Sequence, residues 1–131
     1  MKNTLQIVTL ILLLFSSCSS SNDSEEEEIL EEVTHEVLLW EFTPDTGNDT
    51  QRLRWEIEFH NPNNEAITGF YRITVNADGL VSTLHSTSTA PCYQIEANAS
   101  CIVSFDEEDS HDVVMANSIN LVDVAYIIEN Q

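Results

Sequence analysis

From residue 34 onward, apolar and polar residues alternate with a period of two. In "RLRWEIEFH", Leu53, Trp55, Ile57 and Phe59 share one face, and Arg52, Arg54, Glu56, Glu58 and His60 share the other. That is the pattern of an antiparallel strand with one face in a core and one in water. The same reading puts Tyr71, Ile73 and Val75 inward within residues 70–76, and Val122, Val124, Tyr126 and Ile128 on one side of residues 122–128. Shorter runs rich in β-branched and aromatic residues occupy 37–42, 80–85 and 102–105. Polar stretches punctuate them: "TPDTGNDT", "NPNNE" and "NADG", the last with a hairpin-type Asp78-Gly79 step. Short strands about ten residues apart predict an all-β fold, an antiparallel β-sandwich of about seven strands over residues 34–131. A segment of that length can bury a core of its own.

The first 17 residues break this pattern. Lys2 precedes an apolar run over residues 5–15, interrupted only by Gln6 and Thr9. The run is about half of the roughly 20 residues that a spanning helix needs, so it predicts a signal peptide over residues 1–17. It ends in "FSSC", residues 15–18, which resembles the lipobox of bacterial lipoproteins, where small residues precede a cysteine. Phe15 stands where that pattern usually has an aliphatic residue, with Leu14 one place earlier. The resemblance implies a diacylglycerol thioether on Cys18, cleavage before it and acylation of the new amino group. Several acyl chains together hold a protein stably on a membrane without any span. An ordinary secretory signal, cut after Ser17 or Ser20, would do none of this.

Next comes "SSSNDSEEEEILEE", with seven carboxylates between Asp23 and Glu32 and no aromatic residue or glycine. Such a segment buries too little apolar surface to offset its ordering entropy, so residues 18–33 read as a lipidated cysteine followed by a disordered acidic tether. Its serine-plus-acidic beginning resembles the export signal of Bacteroidota surface lipoproteins, which implies an outer-membrane protein facing the cell surface. A solvated spacer on a periplasm-facing lipoprotein is the plainer alternative.

Cysteine arithmetic agrees with the anchor. Of three cysteines in an exported chain, lipidation uses Cys18, and Cys92 and Cys101 remain as an even pair for a disulfide. The stretch "CYQIEANASC" invites a hairpin turning around residues 96–99, with the bridge between its two strands. The run "WEIEFHNPNNEAITGFYRITVNADG" resembles the strand, Asn-Pro turn and strand-Asp-Gly sequence of immunoglobulin-like accessory domains in bacterial envelope proteins. That implies an immunoglobulin-like architecture and nothing about a ligand.

Charge narrows the partners. Twenty-three acidic residues face four basic ones, a formal net charge of −19. Phosphate backbones need Lys or Arg to displace their counterions, so nucleic acid is not an expected partner, and anionic lipid is equally disfavoured as an electrostatic target.

Candidate chemistry is sparse. "DEEDSHD" places Asp106, Glu107, Asp109, His111 and Asp112 within seven residues, and in a loop these oxygen and imidazole donors could hold Ca²⁺ or another cation. It lacks the glycine-punctuated alternation of a calcium loop. "PDTGNDT" offers Asp45, Asn48 and Asp49 around a glycine, which turn chemistry explains on its own. His35, His60, His85 and His111 have no ligand spacing, and no nucleophile elbow or phosphate-cradling glycine loop is present. The expectation is therefore a non-enzymatic envelope lipoprotein without a cofactor, binding a protein or carbohydrate partner. A calcium-dependent binding or adhesion protein using residues 106–112 is the alternative.

Overall fold

Seven strands account for the alternating segments: β1 Thr34–Thr43, β2 Thr50–His60, β3 Ile67–Ala77, β4 Leu80–His85, β5 Gln94–Ile95, β6 Ser100–Ser110 and β7 Ile119–Ile128. The structure, a computed structural model, describes residues 29–112 and 115–129. The expected signal peptide, the lipobox Cys18 and the tether as far as Glu28 lie outside the described residues.

The strands form two antiparallel sheets packed as a β-sandwich. In the first, β2 lies between β1 and β6. In the second, β3 is central: β7 pairs along one side, while β5 and then β4 pair along the other. Alternation along β2 and β3 builds the core between the sheets. Ile57 and Phe59 are fully buried, and Trp55, Tyr71, Ile73, Val103, Val124 and Ile95 pack with them. Phe59 joins the layers directly, 5.6 Å from Tyr71 and 5.5 Å from Tyr126 between ring centroids.

Gly69 shows how closely β3 and β7 approach. A Cβ there would lie 2.3 Å from the Ile127 carbonyl oxygen and 2.6 Å from a ring carbon of Tyr126, so no larger residue fits. The Asp78-Gly79 step forms the β3–β4 turn, with both residues at positive φ (50° and 94°). The Asp78 carboxylate also accepts the backbone N–H groups of Asn117 and Ser118, each at 2.8 Å, and so fastens the approach to β7.

Three local expectations change. Val122, read as inward, is 55% exposed, because a bulge pairs Thr74 with Asp123 but Val75 with Leu121. One extra residue reverses the alternation, so Leu121 packs on the core instead. Cys92 and Cys101 are bridged, with 5.7 Å between their Cα atoms, but not across a hairpin. The turn at Ala97 and Asn98 carries the chain from β5, paired with β3, to β6, paired with β2, so the disulfide clamps one sheet to the other. Finally, residues 30–33, read as the end of the tether, are docked. Val33 is buried, Leu30 packs against the core, and Glu31 forms a reciprocal pair with Asn63 through its N–H (2.7 Å) and C=O (3.0 Å).

Candidate functional site

The two sheets do not meet evenly. On the β1/β7 side they are joined, and the Trp40 indole N–H donates across to the Ile119 carbonyl at 3.1 Å. On the opposite side the disulfide closes the β5 end, while farther along the β4 and β6 edges stand apart. Between them opens a cleft of about 360 Å³ lined by Trp40, Leu53, Trp55, Val75, Leu84 and Phe105, with Ile73, Ser82 and Thr83 completing the wall. The volume is that of a small ligand site or of a few side chains.

Register explains the aromatic lining. Trp40 pairs with Trp55, and Trp55 with Phe105, so the three rings form one row across the first sheet. Trp55 and Phe105 stack at 5.6 Å with 7° between their planes. From the other sheet come Ile73 and Val75 of β3, and from β4 come Ser82 and Leu84, their register partners. Both tryptophans of the chain therefore stand at this one cleft. Among the lining side chains Ser82 carries the one inward hydroxyl, because Thr83 alternates to the outer face, where its hydroxyl lies 3.1 Å from that of Thr74. The arrangement suits apolar surface, and the described lining side chains include no carboxylate, imidazole, thiol or amine.

The acidic run lies at the mouth of this cleft. It is not a loop: β6 continues through residues 106–110, because β2 supplies a partner at every position from His60 to Thr50. Strand alternation then sends successive carboxylates to opposite faces. Asp106 faces outward and makes a two-pronged pair with Arg52 at 2.7 and 2.8 Å, which holds its carboxyl below the ordinary value. Glu108, on the same face, accepts from the hydroxyls of Thr46 and Thr50. Glu107 pairs with Leu53 and Asp109 with Gln51, which puts both on the face that carries Phe105, and both are exposed. His111 follows the strand, its Nε2 within 2.9 Å of the Pro44 carbonyl oxygen. Asp112 is exposed beside it. Among the described residues no three His, Cys, Asp or Glu side chains converge as a metal-holding group.

A second hollow, of about 390 Å³, lies on the first sheet at the His60 end and is lined by Thr34, His35, Glu36, Glu58, His60 and Ser100. Sequence spacing gave no sign that two of the scattered histidines would border one hollow, since β1–β2 pairing brings their strand positions side by side. Their rings are turned to other tasks: His35 lies against Phe59 at 6.5 Å, and His60 Nδ1 is 3.3 Å from the Ser100 hydroxyl.

No protein-family model, no curated protein and no solved structure matches this chain. The cleft must therefore be read from its own chemistry.

Charge around it is one-sided. All three arginines of the described chain are engaged on outer sheet faces: Arg52 with Asp106, Arg54 with Glu41, and Arg72 with Asp123. Each pair is exposed enough to contribute little stability. Their effect is to leave the carboxylates near the cleft, Glu107 and Asp109, without a basic neighbour in an ion pair among the described residues.

Proposed function

We propose that the protein is a lipid-anchored cell-envelope lipoprotein, held in the outer membrane through Cys18 and facing the cell surface, whose β-sandwich is a non-enzymatic interaction module. The observation that carries the binding role is the aromatic cleft between the β4 and β6 edges. Trp55 is buried, but its half-buried neighbours Trp40 and Phe105 and the exposed Leu84 leave apolar surface open to water, and a partner that covers it gains hydrophobic stabilisation. The cleft favours a protein partner over a carbohydrate one. Sugars need several directed hydrogen bonds in addition to stacking, whereas here the Ser82 hydroxyl joins seven apolar side chains in the wall. The crossings from β2 to β3 and from β5 to β6, each passing from one sheet to the other, support an immunoglobulin-like architecture for the module.

Site-specific photo-crosslinking on intact cells tests the binding role. A photoreactive residue at Leu84, in the cleft, is expected to give discrete adducts, and one at Ser104, on the outer face of β6, is expected to give none. Equal labelling at both positions would remove the cleft as the binding site. Mass spectrometry of the mature N-terminus tests the anchor: a diacylglyceryl cysteine at position 18 is expected, and an unmodified N-terminus after Ser17 or Ser20 would refute it.

A further inference from the structure

Four sheet edges are exposed in this fold, and three carry features that discourage another strand from pairing. β1 has a bulge at Leu38 and charges at Glu36 and Glu41. β7 has its bulge at Val122, followed by Asp123. β6 carries Asp106 to Asp109 in succession. Bulges and edge charges are how soluble sandwiches avoid adding a foreign strand. β4 has neither. Its sequence is Leu-Val-Ser-Thr-Leu-His, its pairing with β3 is regular from end to end, and all six residues are exposed, Leu80 at 73%, Val81 at 57% and Leu84 at 51%. This undefended edge is also one wall of the aromatic cleft.

From these observations we infer that β4 is a docking edge for an extended segment of a partner protein, basic and with apolar side chains at alternate positions, which adds as a further strand to the second sheet. The inference rests on the binding-module reading above and specifies the partner. An added strand beside β4 would hydrogen-bond through its main chain and send every second side chain inward, over Leu84 and Phe105, closing the seam toward β6. Charge selects the occupant. The inward face of β6 continues from Phe105 to the exposed Glu107 and Asp109, and the chain's net charge is −19. A second copy of this chain would bring the same charge to the seam and be repelled, whereas a strand whose apolar side chains turn inward carries its lysines or arginines on the outer side, where the net charge of the domain, and not a direct pair with Glu107 or Asp109, draws it in.

The test uses the purified protein and three seven-residue peptides with blocked ends: one alternating Lys and Leu, one alternating Glu and Leu, and one with the Lys and Leu residues grouped in blocks. Because both tryptophans line the cleft, their emission reports on this site. The alternating Lys–Leu peptide is expected to shift that emission saturably and to slow amide exchange of residues 80–85. The Glu–Leu and block peptides should bind at least about tenfold more weakly, a difference of about 1.4 kcal/mol. Leu84→Lys, at an exposed position where folding is checked by circular dichroism, should weaken the first peptide by a similar factor, and Glu107→Lys, which only lowers the attracting charge, should weaken it less. Equal binding of the Glu–Leu peptide, unchanged exchange at residues 80–85, or dimerisation through β4 in sedimentation would overturn the inference. If Leu84 forms crosslinks on cells while the peptide leaves β4 unprotected, strand addition is wrong and the binding-module reading survives. If both fail, both readings fall.

Discussion

Replacing Asn61 with alanine should be among the most damaging single changes to this domain, although Asn61 touches neither the cleft nor the disulfide. Its side chain is fully buried. Its Nδ2 donates to the carbonyls of Glu65 (2.8 Å), Glu96 (3.0 Å) and Ile95 (3.3 Å), and its Oδ1 accepts from Asn63 through the backbone N–H (2.9 Å) and Nδ2 (2.8 Å). Truncation strands the Asn63 backbone N–H and one N–H of its buried amide and takes a donor from the Glu65 and Ile95 carbonyls, while the Glu96 carbonyl keeps the Ala99 N–H at 3.2 Å. At about 1–3 kcal/mol for each group left unsatisfied, moderated where water can enter, the expected loss is about 3–4 kcal/mol. For a domain near 100 residues that lowers Tm by roughly 12–30 °C. Urea unfolding followed by tryptophan emission measures it directly. The exposed pair of Asn98 and Asn64, at 3.2 Å, is the control, and Asn64→Ala should stay within about 0.5 kcal/mol of the parent. Asn61→Asp adds a check of sign. A carboxylate facing three carbonyls is disfavoured, so its folded pKa rises, and the variant should recover stability relative to the parent as pH falls toward the ordinary carboxylate range. If Asn61→Ala costs less than about 1 kcal/mol, or if Asn61→Asp weakens further relative to the parent on acidification, the hydrogen-bond account is wrong.

Further outcomes follow from the same geometry. Gly69→Ala meets a backbone oxygen that cannot swing away, and a loss of about 2–4 kcal/mol is expected in chemical unfolding. Replacing Cys92 and Cys101 together by serine should cost about 2.7 kcal/mol from the ten-residue loop alone. Because the bridge joins two sheets, amide exchange at Gln94 and Ile95 should accelerate with it. The Asp78 carboxyl sits below its ordinary value of 3.8, chiefly through the Asn117 backbone N–H and then those of Ser118. Its stabilisation is therefore complete above that value and lost as pH falls through the lowered folded value. The stability gap between the parent and Asp78→Asn should accordingly shrink below about pH 4. The Tyr126 hydroxyl, pushed up to about 12 by burial and then by the neighbouring Tyr93, should remain protonated in a spectrophotometric titration at a pH where free tyrosine has ionised.

The central strands were legible in the sequence because their alternation is uninterrupted. Leu53, Trp55, Ile57 and Phe59 all face the core, as do Tyr71 and Ile73. The Asp78-Gly79 turn was legible for a local reason, two adjacent positive-φ positions. What escaped depends on pairing between distant residues. Nothing local to β7 says that Val75 will skip Val122 for Leu121. The acidic run reads as a loop on composition, yet it becomes strand because β2 offers Arg52 and Thr50 as outward partners. The cysteine pair could be counted from the sequence, but the sheets that it joins could not. The cleft was the least legible of all. Its walls come from five strands, and the contact that closes the opposite side, Trp40 to Ile119, spans 79 positions.

The distribution of restraints along the sandwich bears on how a strand could be admitted. At the pole where His60 ends β2, the chain arrives through the Glu31–Asn63 pair, Asn61 ties the following turn to residues 95 and 96, and the disulfide links β6 to the segment before β5. An anchor at Cys18 would hold the domain by this pole and load its best-fastened part. Toward the other pole, β4 and β6 have neither a bridge nor a ladder between them, and the cleft lies there with Glu107 and Asp109 at its mouth. Strand addition needs an edge that can yield slightly without unfastening the core, and it needs that edge to be reachable by a partner. A domain tied at the His60 pole and open at β4 meets both conditions, whereas a bridge placed across β4 and β6 would meet neither.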